Sequence, residues 1–167
     1  MAASMNKLGS HLPTLKKAVA QTNGWPILEM GVGPNSTPYL HYVGDEYHRH
    51  VTSYEVKPEY YELSKGYQSK WHDVKLVKSY NDAKINSTRR RGIWGVVLID
   101  HAPAERRIVD IMRVKDNAIM IICHDSEMES DWLYRYSEIY PLFKYRYATN
   151  DHPVQTTVLS MFKEFRP

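Results

Sequence analysis

Ile27-Leu28-Glu29-Met30-Gly31-Val32-Gly33-Pro34-Asn35-Ser36-Thr37-Pro38 is the stretch on which the reading of this chain turns. An apolar strand, Pro26–Met30, runs into Gly31 and Gly33, and Ser36 and Thr37 then precede Pro38. Ser and Thr are good N-caps, and proline is favoured in a first helical turn. Strand, glycine turn and helix start in that order form the context of a cofactor-binding loop, because glycine lets the backbone turn sharply and approach a ligand closely. A lone Gly-x-Gly also fits an ordinary tight turn. Two acids extend the signal. Glu29 lies just before the glycines, and Glu55 ends the next apolar run, 26 residues on, where a carboxylate is placed to accept ribose hydroxyls. The loop has neither the Gly-Lys-Ser/Thr of a P-loop nor the third glycine of a dinucleotide fingerprint. A nucleoside ligand without phosphates is the expectation.

Outward from this turn, short apolar runs recur at Pro26–Met30, His50–Glu55, Val74–Ser79, Trp94–Asp100, Ala118–Cys123, Phe143–Tyr147 and Thr156–Met161. Gly95–Ile99 and Ala118–Cys123 are continuous rather than alternating, as in parallel strands buried on both faces. Between the early runs lie stretches that predict helices over Pro38–Val43, Pro58–Tyr67, Asp82–Thr88, Glu105–Val114 and Glu129–Ile139. Alternation of this kind predicts an α/β fold with right-handed crossovers. Only Asn150-Asp151-His152-Pro153 separates the last two runs, so the chain is expected to end in an antiparallel hairpin. Residues 1–24 read as an N-terminal segment with a short helix over Leu12–Ala20 and little periodicity before Ser10. Residues 25–167 read as one domain.

The chain has 167 residues, which fits one domain at about 100–200 residues each. Its 22 Lys and Arg against 19 Asp and Glu leave a net charge of +3, too even to argue for nucleic acid or a membrane surface. A single cysteine, Cys123, excludes a disulfide framework and a multi-cysteine zinc site. The longest apolar runs fall far below the ~20 residues needed to span a bilayer, and Met1–Thr22 carries no signal-peptide core. A cytoplasmic protein without a membrane partner is expected.

Glu-Met-Gly-Val-Gly at the first strand, Tyr-Glu-Val at the second and Leu-Ile-Asp-His-Ala-Pro at the fourth resemble class I S-adenosylmethionine-dependent methyltransferases. The resemblance covers roughly Trp25 to Met161. It implies a Rossmann-like, seven-stranded, mostly parallel sheet with helices on both faces, whose last strand is antiparallel. It also implies S-adenosylmethionine as cofactor. Glu29, Gly31 and Gly33 would line its methionine part, Glu55 would bind the ribose hydroxyls, and Asp82 would sit near the adenine. Asp82 equally fits the N-cap of the next helix.

Asp100-His101 and His124-Asp125-Ser126 follow the fourth and fifth strands, so both clusters belong at one crevice. Their placement is similar to the catechol-O-methyltransferase-like branch, where acids at these two strand ends hold a divalent cation. By that resemblance Asp100 and Asp125 would be ligands of Mg2+ or Mn2+, with His124 as ligand or base; Ala102-Pro103-Ala104 stands where that branch carries a lysine. Without a metal, His101 or His124 would serve as general base beside Asp100. Asp125 or Ser126 also fits a cap for a helix beginning near Glu127.

Arg106 reads as a contact for an acidic substrate group or as a solvated helix face, and Arg89-Arg90-Arg91, before the fourth strand, as a solvated run on the rim away from the crevice. Trp132, Tyr134 and Tyr136 fit either rim packing or stacking on a ligand ring. His152 belongs to the hairpin loop near the crevice rim. The expectation is methyl transfer to a hydroxyl of a small molecule or sugar, with a homo-oligomer left open. Its rivals are a nucleic-acid methyltransferase and a non-catalytic cofactor-binding or scaffold subunit.

Overall fold

In a computed structural model, residues 9–149 and 154–167 are described. The strands are β1 (Ile27–Met30), β2 (Val51–Glu55), β3 (His72–Leu76), β4 (Trp94–Ile99), β5 (Ala118–Cys123), β6 (Tyr145–Ala148) and β7 (Thr157–Ser160). They form one sheet in the order β3-β2-β1-β4-β5-β7-β6. Pairing is parallel from β3 through β5, and β7 runs antiparallel to both β5 and β6. The helices are α1 (Leu12–Gln21), α2 (Ser36–Tyr47), α3 (Pro58–Ser64), α4 (Arg107–Val114) and α5 (Asp131–Tyr134). The expected mostly parallel sheet with an antiparallel end is present.

The central strands are covered on both faces, and their side chains divide with period two. Leu28, Met30, Val97, Ile99, Ile121, Cys123 and Leu159 join one core with Ile111 and Val114 of α4. Ile27, Val96, Leu98, Met120, Ile122 and Val158 join the other, with Leu15 and Val19 of α1 and Leu40 and Val43 of α2. Burying each such side chain contributes about 1.5–3 kcal/mol. The same alternation decides where the residues just past the strands point. Asp100 continues the α1–α2 face of β4, and His101 continues the α4 face.

Two predicted helices are not present as such. Asp82–Thr88 follows a 3-10 turn, Tyr80–Asp82, and is otherwise irregular. Its backbone groups bond outward instead: Tyr54 Oη accepts from Lys84 N–H (3.3 Å), Trp94 Nε1–H donates to the Ile85 carbonyl (2.8 Å), and Arg113 donates to the Ala83 carbonyl (3.2 Å). Glu129–Ile139 breaks into 3-10 turns at Met128–Ser130 and Tyr136–Glu138 around the one-turn α5, with Arg135 in the left-handed region (φ 58°). β3 begins at His72, two residues before the apolar run, because this polar residue is buried against Ser53 of β2 (2.8 Å). The Asn150–Pro153 turn, with His152, lies outside the described residues, as do the first eight residues of the expected N-terminal lead. Among the described residues no helix is long and apolar enough to cross a membrane.

Candidate active site

The glycine turn is built from below. Gly31 has φ 93°, and a Cβ there would come within 2.7 Å of the Asp100 carbonyl oxygen and His101 Cα. Only glycine lets the end of β1 lie this close to the end of β4. Glu29 is fully buried beneath the turn. Its carboxylate accepts from Thr37 Oγ1 (3.0 and 3.1 Å) and from Ser53 Oγ, while Thr37 Oγ1 accepts from Gly33 N–H (2.9 Å). Burial pushes Glu29 up to about 7 against the lowering effect of those hydroxyls. Glu29 thereby braces the turn, holding Gly33 through Thr37.

Glu55 is nearly buried at the end of β2. It accepts backbone N–H bonds from Val32 (3.1 Å), Val56 (2.8 Å) and Lys57 (2.8 Å). Three of about four carboxylate lone-pair positions are thereby used, and one stays open. Beside it lies a cleft of 250 Å3 lined by Val56, Ser79, Tyr80, Pro103 and Arg106. Asp82 is exposed and is not part of that lining. It caps no helix, since none follows, and Ser79 Oγ takes the cap of the 3-10 turn from Asn81 N–H (3.2 Å). Arg106 reaches Asp110 (2.9 Å) and Asn81 Oδ1 (2.7 Å), tying α4 to the loop after β3 rather than standing free for an acidic substrate.

Past β4 and β5, the structure brings Asp100, His124 and Asp125 together and turns His101 away. His101 is buried on the α4 face, 3.0 Å from Asp110 and stacked on Tyr80 at 4.1 Å. The general-base expectation for His101 is therefore corrected: it has no path to a ligand. Burial opposes the charge of Asp110, but the His101 ring at 3.0 Å and hydrogen bonds from Arg106 and Arg113 hold it down at about 2. His124 Nδ1 lies 3.3 Å from both Asp100 oxygens, and its Nε2 lies 2.8 Å from Ser10 Oγ. Burial pulls His124 down, but Asp100 outweighs it and raises its affinity for a proton. Asp100 in turn is lowered by His124 and Arg107 despite its own burial.

Three residues here carry no strong signal in the sequence. Arg107, the first residue of α4, is buried and bridges both acids, 2.9 Å from Asp100 and 3.2 Å from Asp125. Its guanidinium also holds the His101 carbonyl (2.7 Å) and the His124 carbonyl (3.2 Å), and lies over the Tyr134 ring at 4.7 Å. Tyr134 Oη donates to Asp125 (3.0 Å), so Asp125 serves this network, and neither it nor Ser126 caps a helix. Tyr136 is buried and Trp132 is 80% exposed. Ser10 and His11 arrive from the turn before α1. The His11 ring meets His124 edge-on at 4.7 Å. His11 is 5% exposed, and neither ring nitrogen has a partner among the described residues. Burial first, and His124 second, lower it to about 4.

Between the carboxylates of the expected Asp100–Asp125 metal pair lies the Arg107 guanidinium. The described groups with suitable spacing for a cation are His11, Asp100 and His124, whose ligand atoms lie within 4.8 Å of one another.

Comparison with solved structures matches the fold. Human methyltransferase-like protein 13 in complex with SAH superposes with a TM-score of 0.65 at 14% identity, over 90% of this chain and 82% of that one. The chain has a class I methyltransferase fold. A Staphylococcus aureus protein assigned as a caffeoyl-CoA O-methyltransferase gives 0.64 at 12% identity over 90% and 83% of the two chains. The methyltransferase domain of bacterial CtHen1-C gives 0.60 at 10% identity over 92% and 97%. No protein-family model and no curated protein sequence matches the chain. Within the methyltransferase fold, the cluster around Asp100 and His124 occupies the carboxyl ends of β4 and β5, and Glu55 the carboxyl end of β2.

Proposed function

We propose that this chain transfers a methyl group from S-adenosylmethionine to a hydroxyl oxygen of a small molecule or sugar. The observation that carries the reading is the Asp100–His124 pair at the ends of β4 and β5, the two strands that follow β1 and its glycine turn across the sheet. The donor set fits the cofactor: Glu55 keeps one open acceptor position for a ribose hydroxyl, and the adjoining 250 Å3 cleft accepts a flat ring between Val56, Tyr80 and Pro103. Ser79 and Tyr80, rather than Asp82, would meet the adenine.

When bound, S-adenosylmethionine supplies an electrophilic methyl group. The chain then has to orient an acceptor hydroxyl and remove its proton. His124 Nε2 is the nitrogen free of Asp100, and a hydroxyl oxygen, that of Ser10, already lies 2.8 Å from it. An acceptor hydroxyl that replaces Ser10 there gives its proton to His124, and Asp100 stabilises the imidazolium formed. Arg107 keeps Asp100 ionised and in place. Gly31 and the Glu29–Thr37 brace fix the turn.

A second, metal-assisted reading is favoured by the unpartnered buried His11. Two imidazoles and one carboxylate suit Mn2+, Fe2+ or Zn2+ better than Mg2+. In that reading His124 is a ligand rather than a base. Calorimetric titration of the protein with Mn2+ or Zn2+ alone, compared with His11→Ala, separates the two: no binding, or equal binding in the variant, rejects the metal.

Thermal unfolding with and without S-adenosylmethionine or its demethylated product tests the main reading, since a native-state ligand raises the melting temperature. The shift is expected in the wild type and lost in Glu55→Ala. No shift with either compound overturns the reading. A shift without turnover on any hydroxyl acceptor points to the scaffold alternative.

A further inference from the structure

The run Arg89-Arg90-Arg91 takes no part in the crevice. It precedes β4 and therefore lies at the opposite, amino-terminal rim of the sheet. It is not a loose solvated stretch. Ser87 N–H donates to the Gly92 carbonyl (3.0 Å), and Arg89 N–H donates to Ser87 Oγ (3.1 Å), which closes a tight loop. Arg90, Arg91 and Gly92 follow one another with φ of 49°, 57° and 87°. Left-handed backbone is costly in two successive residues that carry a Cβ, and such strain collects where side chains must be aimed.

The loop forms one wall of a 590 Å3 cleft, with Thr88, Arg89 and Arg90 on one side and His48, Arg49 and His50 on the other. No carboxylate lines it. Among the described residues Arg89 and Arg90 make no ion pair, and Arg90 instead lies over the Trp25 ring at 5.5 Å. Asp73, the acid whose charge acts on His50, pairs with Lys75 at 3.6 Å.

Arg49 lines the same cleft. It is 4% exposed, and its guanidinium bonds only neutral groups: the Trp25 carbonyl (2.9 Å), the Val19 carbonyl (2.6 Å) and Thr22 Oγ1 (3.4 Å). Val19 and Thr22 are the last turn and C-cap of α1, so Arg49 is satisfied there as a helix-terminus cation and fixes the wall of the cleft. Arg89 and Arg90 leave at this acid-free cleft a positive charge that no carboxylate in its lining compensates.

We propose that this cleft binds a small phosphate-bearing molecule. Guanidinium forks match phosphate oxygens in pairs, and the imidazoles and Thr88 hydroxyl add donors at the same wall. A walled cleft favours a compact ligand over a nucleic-acid strand, which would need a basic track extending beyond it. The site is separate from the cofactor crevice and stands or falls apart from the methyltransferase reading.

Titration calorimetry of the full chain with inorganic pyrophosphate tests it, beside a short single-stranded RNA and the double variant Arg89→Ala/Arg90→Ala. Both arginines are exposed, and circular dichroism and the melting curve check that the variant is folded. Expected is saturable pyrophosphate binding that fades as ionic strength rises and weakens roughly tenfold or more in the double variant. Absence of saturable binding in the wild type, or equal affinity in the folded variant, overturns the proposal. RNA binding without pyrophosphate binding also overturns it, in favour of a nucleic-acid surface.

Discussion

The Arg107 guanidinium lies 2.9 Å from the Asp100 carboxylate and reaches Asp125 with a second nitrogen at 3.2 Å. One organic cation thus occupies the position between two acids that the sequence offered to a metal. Arg107→Met leaves two partly buried carboxylates facing each other, and loss of one partner from such a group costs about 3–5 kcal/mol. Chemical denaturation should show that loss. In the variant, though not in the wild type, Mg2+ should recover part of it by taking the vacated place; an equal response of both proteins to Mg2+ contradicts the assignment.

His101 and His124 should separate cleanly. His124→Asn removes the nitrogen beside Ser10 and should lower turnover by roughly 10²–10⁴-fold, with the cofactor-induced melting shift retained. His101→Gln, facing α4, should cost about 1–3 kcal/mol of stability through the weakened Asp110 contact and leave turnover of the folded protein near wild type. Steady-state rates and melting curves on the two variants decide the matter, and the reverse pattern defeats the site assignment.

Glu29 predicts an unusual dependence on pH. Its affinity for a proton rises on folding, from the ordinary 4.5 to about 7. A raised carboxyl contributes stability that is complete below about pH 4.5 and is lost as pH rises through about 7. Glu29→Gln keeps an acceptor for Thr37 and Ser53 and has no charge to form. The variant should match the wild type near about pH 4.5 and exceed it by up to roughly 3 kcal/mol near about pH 8. Urea unfolding at the two pH values measures the difference; a constant offset speaks against the buried, proton-holding carboxyl.

The two glycines of the turn should respond differently. Gly31→Ala places a methyl group 2.7 Å from fixed backbone at a φ of 93°, and roughly 2–4 kcal/mol should be lost. At Gly33 the nearest neighbour is the Ser36 hydroxyl at 3.1 Å, a side chain that can rotate, so the fold should tolerate alanine. Melting temperatures of the two variants compare them directly.

The strands were readable where hydrophobicity marked them. Gly95–Ile99 and Ala118–Cys123 announce themselves as doubly covered strands, and Glu55 and Asp100 are marked by standing as the first acids at strand ends. The loop before β4 misled because nothing local shows that Tyr54, Trp94 and Arg113 satisfy its backbone from outside. His101 could have been set apart from Asp100 by strand alternation alone, since neighbours past a strand end continue to opposite faces. Arg107 reads as an ordinary helix-start cation, and only the fold reveals that it spans two strand ends. Ser10 and His11 were out of reach for a simpler reason: Ser10 meets a residue 114 positions away.

That separation has a consequence for how the molecule matures. Closing so long a loop is entropically expensive and is deferred until the intervening strands have paired. The Ser10–His124 contact is therefore expected among the late ones, after β4 and β5 pair. With β1, β4 and β5 paired but Ser10 undocked, the chain would have its glycine turn in place and the His124 ring uncovered on that side.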